Sequence, residues 1–111
     1  MAFKLATERR FKSKINVKMP LEIGGHSTFS FHAIFKMLKV TEINQIRDEK
    51  GDQQLLKDVL VGFEDVQTEE GQPQEFNADA RDALIDEPLV AMALTEVYLK
   101  EALGGLGRQK N

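Results

Sequence analysis

Phe11-Lys12-Ser13-Lys14-Ile15-Asn16-Val17-Lys18-Met19 is the stretch that decides the fold class. Phe11, Ser13, Ile15, Val17 and Met19 alternate with Lys12, Lys14, Asn16 and Lys18. Successive side chains of an extended chain point to opposite faces, so this period of two describes a strand with one mainly apolar face and one lysine-rich face. Pro20 has no N–H to donate, which predicts an edge strand or a bend there, with Leu21 and Ile23 as a continuation.

Gly24-Gly25 supplies the positive φ angles of a hairpin turn. The return strand carries Phe29, Phe31, Ala33 and Phe35 on one face, against Ser30, His32 and Lys36, with Ile34 breaking the alternation. Burying one phenylalanine contributes about 2 kcal/mol or more. Two strands alone are marginal, so helices must cover that aromatic face.

The helices come next in the chain. Thr41 is read as the cap of a short helix containing Ile43 and Ile46. Lys50-Gly51-Asp52 interrupts it, and Asp52 is read as the next cap. Leu55, Leu56, Val59, Leu60 and Phe63 recur at helical spacing, with Gly62 as the stop and residues 63–66 as a short third strand. A polar loop with Gly71 and Pro73 covers residues 67–75. Asn77 caps a helix with Ala80, Ala83, Leu84 and Ile85, and Pro88 opens the last and strongest helix, which Gly104-Gly105 stops. The expected fold is α+β: an N-terminal antiparallel β-hairpin, with or without the third strand, packed against three to four helices. Residues 1–10 are expected to be a flexible N-terminus, residues 11–105 one domain and residues 106–111 a flexible tail.

A chain of 111 residues fits one domain with one modest core. It has no cysteine, which excludes disulfides, thiolate metal sites and cysteine nucleophiles and suits a reducing cytoplasm. No apolar run is long enough to cross a bilayer, and residues 1–10 lack the apolar centre of a secretory signal, so the expected location is the cytoplasm. The net charge of −3 hides an asymmetry. Residues 1–50 hold ten Lys/Arg against five Asp/Glu, and residues 51–111 hold five against thirteen. Such a two-signed molecule suits self-association or a charged partner, although attraction within the fold is the plainer reading.

Catalytic equipment is missing from the pattern, and the expectation is a protein that is not an enzyme and needs no cofactor. His26 and His32 are the only histidines, and their spacing brings no carboxylate into a zinc site. His26 and Ser27 point to opposite faces of a strand and cannot form a dyad there. Neither glycine pair precedes a helix as a phosphate loop does. The acidic residues between Glu64 and Glu75 lack the Asp-x-Asp-x-Asp-Gly frame of a calcium loop. Lys12, Lys14 and Lys18 form a basic stripe, but the aromatic residues lie on the other face and offer no stacking platform. With a pI near 5.4, nucleic acid is disfavoured as a partner. Edge lysines also guard a sheet against stray pairing.

The order of elements resembles the small tail assembly chaperones of long-tailed bacteriophages. The matching features are the strand Ile15-Asn16-Val17-Lys18-Met19-Pro20, the Phe-rich return strand and the segment Leu-Leu-Lys-Asp-Val-Leu-Val-Gly-Phe-Glu-Asp-Val at residues 55–66. Glu70-Gly71-Gln72-Pro73 and Phe76 follow, then a last helix with Ala93-Leu94 and Tyr98, and the closing Lys110-Asn111. Phe63 stands where relatives often have tryptophan after the glycine, a conservative change for a core anchor. The resemblance covers most of residues 11–111 and rests on many weak signals without a catalytic signature. It implies a protein that coats the tape-measure protein, recruits tail-tube subunits and leaves the finished particle; a tail-completion or connector component retained in the virion is the alternative. The contact surface is expected on the last helix and its approach to the hairpin, with Leu94, Tyr98 and Leu103 as candidates that also suit the core, and with Lys12, Lys14 and Lys18 beside them.

Overall fold

Alternation of lysine with apolar residues builds β1 (Arg9–Pro20), and the aromatic return strand is β2 (His26–Met37). The computed structural model describes residues 2–5 and 8–104 of this chain. The two strands pair antiparallel in unbroken register from Arg9↔Met37 to Pro20↔His26. Strand pairing therefore begins at Arg9, inside the segment expected to be flexible. Leu21 and Ile23 do not continue β1 but lie in the turn, exposed, where Gly24 and Gly25 adopt φ of 97° and 75°. The turn closes through Leu21 N–H to the Gly25 carbonyl and Gly24 N–H to the Leu21 carbonyl, each 3.0 Å.

Four helices and a third strand follow: α1 (Val40–Glu49), α2 (Asp52–Val59), β3 (Leu60–Glu64), α3 (Ala78–Ile85) and α4 (Pro88–Leu103). The sheet order is β1-β2-β3, all antiparallel, which makes β1 an edge strand as its proline requires. The fold is α+β with an N-terminal hairpin and the third strand present.

The caps of α1 and α2 sit two and one residues before the expected ones, while α3 and α4 start as expected. Lys39 is the N-cap of α1, and the Glu42 carboxylate accepts its backbone N–H at 3.1 Å, so Thr41 lies within the first turn. Gly51 is the N-cap of α2, while Asp52 turns back to accept from Arg47 Nε at 2.8 Å and ties α1 to α2. Asn77 does cap α3, accepting from Ala80 N–H at 2.8 Å.

The largest difference lies at residues 59–64. Helix α2 ends at Val59 and passes into β3 with no loop between them, so Leu60 and Phe63 belong to the strand and Gly62 does not stop the helix. Gly62 instead lies across from Ile34, where an added Cβ would sit 3.2 Å from Ile34 Cδ1. A hydrogen at this position lets β3 close against β2 beside the out-of-pattern isoleucine.

The core fills the space between the inner sheet face and the helices. Helix α4 packs along β1 and also reaches β2; α2 meets β2 and β3; α3 touches α2 and α4 in a further layer. Ile15, Phe31, Ala33 and Phe35 from the hairpin are buried with Leu55, Leu56, Val59, Leu94 and Tyr98 from the helices. The rings of Phe11, Phe35 and Tyr98 meet with centroids 5.1–5.9 Å apart, and Phe63 meets Phe76 edge-on at 5.1 Å. Phe29 departs from expectation: it pairs with Val17 on the inner side of the sheet but is 52% exposed. Its partner Val17 is buried, so the cover over the turn end of the hairpin favours β1 over β2.

Candidate functional site

Helices occupy only one face of the sheet, and the other face carries the lysines. In register across it stand Arg10 beside Lys36, Lys12 beside Ile34, Lys14 beside His32 and Lys18 beside Thr28. Lys12 Nζ reaches the Glu64 carboxylate on β3 at 3.1 Å, both side chains about half exposed. Among the described residues neither Lys14 nor Lys18 has an ion-pair partner. His32 does gain a carboxylate, contrary to expectation: Asp65 Oδ2 lies 2.9 Å from its Nδ1. Asp65 makes that contact from a left-handed backbone, φ 66°, just after β3, a position that aspartate tolerates better than most residues. Among the described residues no three His, Asp or Glu side chains converge as a metal-ligand set.

The six candidate contact residues separate into three groups. Lys12, Lys14 and Lys18 share the open sheet face. Leu94 and Tyr98 are fully buried and hold α4 to the sheet, so neither is available to a partner. Leu103 is half-buried against the core at the end of α4. Burial pushes the Tyr98 hydroxyl above its ordinary pKa, its hydrogen bond from Leu38 N–H opposes that shift, and the charge of Glu42 adds to it.

A second surface lies on the far side of the core. A cleft of about 560 Å³ opens among α2, α3 and α4. Pro88, Ala91 and Met92 give it an apolar surface over the buried Leu56 and Ile85, and Asp52, Asp86 and Glu96 give it an acidic rim with Gln53 and Thr95. No lysine or arginine lines it, although Arg47 pairs with Asp52 at its edge. Met92 is 59% exposed. The signal for this cleft was Leu89-Val90-Ala91-Met92-Ala93-Leu94, an unbroken apolar run within one helix. Only one side of such a helix can face the sheet, so its other side must line a second contact.

The chain thus carries two surfaces of opposite charge, a lysine-bearing sheet face and an acid-rimmed cleft among the helices. No family model, curated protein or solved structure matches this chain. Among the described residues no helix is long and apolar enough to cross a membrane.

Proposed function

We propose that this protein is an assembly factor that grips other polypeptides and transforms no substrate: a phage tail assembly chaperone acting in the bacterial cytoplasm. It binds the tape-measure protein transiently and brings tail-tube subunits to it. The observation that carries this reading is that the lysines lie on one face of the sheet while the acid-rimmed cleft lies among α2, α3 and α4. A go-between has to touch two partners without either displacing the other, and two separate surfaces on one small domain meet that need. The tape-measure and tube assignments rest on the resemblance of the hairpin, residues 55–66 and the last helix to the chaperone family.

A long helical protein with apolar stripes aggregates when bare, and a small domain that covers those stripes keeps it in solution. Contacts of modest strength suit a chaperone that must leave as the tube polymerises. Co-expression with a phage tape-measure protein is the test. The expected result is a rise in soluble tape-measure protein; equal insolubility with and without this chain would end the proposal. Mass spectrometry of purified virions separates the chaperone from a retained component, since stoichiometric presence in the particle contradicts transient binding.

A further inference from the structure

We infer that the cleft among α2, α3 and α4 is a docking groove for an amphipathic helix whose apolar stripe is flanked by lysine or arginine. This rests on the reading of the protein as a polypeptide binder and names the chemistry that one of its surfaces selects. The apolar surface open to a partner comes from Pro88, Ala91 and Met92, with Leu56 and Ile85 buried beneath it, and the exposed Met92 side chain is unbranched and adapts to varied partners. Between Pro88 and Glu96 the α4 wall extends for about 12 Å at the helical rise, room for about two turns of a partner helix with anchors at i, i+3 or i+4, and i+7.

The rim decides the partner's charge. Asp52, Asp86 and Glu96 are of one sign, and Arg47 answers only Asp52. A helix with neutral or acidic flanks would cover Asp86 and Glu96 without compensating them, whereas basic flanks pair with them at the margin. A second copy of this chain offers its lysine face, but that face is a flat sheet surface and presents no ridge to enter a groove between helices.

Fluorescence anisotropy with two synthetic helical peptides of about eighteen residues tests the inference. Both carry the same leucine–alanine stripe, one flanked by lysines and the other by glutamates. The lysine-flanked peptide is expected to bind at least about tenfold more tightly, and Asp86→Lys with Glu96→Lys is expected to reverse the preference. Met92→Asp, at an exposed position, is expected to weaken both peptides while the circular dichroism melt stays native-like. Equal affinity for the two peptides, or undiminished binding by the Met92 and rim variants, overturns the inference. So does loss of binding on Lys14→Glu with Lys18→Glu alone, which would move the peptide to the sheet face. Should the rim variant still solubilise the tape-measure protein as the unaltered chain does, the groove inference fails and the chaperone reading stands. Rim-dependent peptide binding without solubilisation of the tape-measure protein has the opposite meaning.

Discussion

The Tyr98 hydroxyl donates to the Lys36 carbonyl at 3.0 Å, and the same oxygen accepts the Leu38 N–H at 3.1 Å. One phenol thus satisfies both backbone groups where β2 ends, and it joins α4 to the sheet across sixty-two positions of sequence.

Tyr98→Phe keeps the ring in its aromatic cluster and removes both hydrogen bonds. The expected loss is about 1–3 kcal/mol, because the Lys36 carbonyl and Leu38 N–H lose their partner in a half-buried setting. Urea denaturation of the two proteins measures it.

Alkaline pH should narrow that gap. The pKa of Tyr98 in the folded state is raised above 10.0 by desolvation, so the folded protein holds the proton more tightly than the unfolded chain. This contribution is fully present below pH 10.0 and is lost as pH rises through the folded value. Since Tyr98 is the only tyrosine, ultraviolet titration of the native protein reports its ionisation directly; a midpoint at or below 10.0 contradicts the burial argument.

Phe31→Ala and Phe63→Ala each empty a buried site and are expected to cost about 3–5 kcal/mol. Phe29→Ala on the same face of β2 should cost far less than Phe31→Ala, since half of the ring is already in water. Calorimetric melts of the three variants distinguish a sheet covered along β1 from one covered evenly.

Asn77→Ala removes the acceptor for Ala80 N–H and should destabilise by about 1 kcal/mol, and Asn77→Asp should restore most of the loss. Guanidinium midpoints decide between capping and incidental contact.

Lys12→Ala separates the exposed pair with Glu64 and is expected to change stability by less than about 1 kcal/mol. Lys14→Glu with Lys18→Glu should likewise leave the melt unchanged while weakening capture of an acidic partner, an effect that added salt imitates. A large loss of stability in either protein would assign the stripe to the fold instead of to its surface.

The hairpin was legible because a mainly apolar set alternates with a mainly lysine set from Phe11 to Met19, and a period of two admits one reading. The passage from α2 to β3 was not. Leu55, Leu56, Val59, Leu60 and Phe63 satisfy a helical stripe, yet Leu60, Val61 and Phe63 equally suit a short buried strand. Gly62 looked like a helix stop because its use, the close approach to Ile34, depends on a strand some thirty positions away. The same limit hid the cleft. Periodicity shows that α4 has apolar residues on more than one side, but only packing reveals that Leu94 and Tyr98 face the sheet and Met92 faces outward. The basic stripe needed no such help, since its lysines follow from the alternation itself.

Helix α2 hands over to β3 between Val59 and Leu60 without a spacer, and this makes the chain unforgiving of length there. One inserted residue would turn every β3 side chain to the opposite face, or swing the Leu55/Leu56/Val59 edge by about 100° around its axis. The small β-ribbon closed by Thr68 N–H to the Gln72 carbonyl at 2.7 Å lies outside the packed layers. An epitope tag or fluorophore therefore belongs at residues 69–71, where extra length bulges into water and leaves the junction intact.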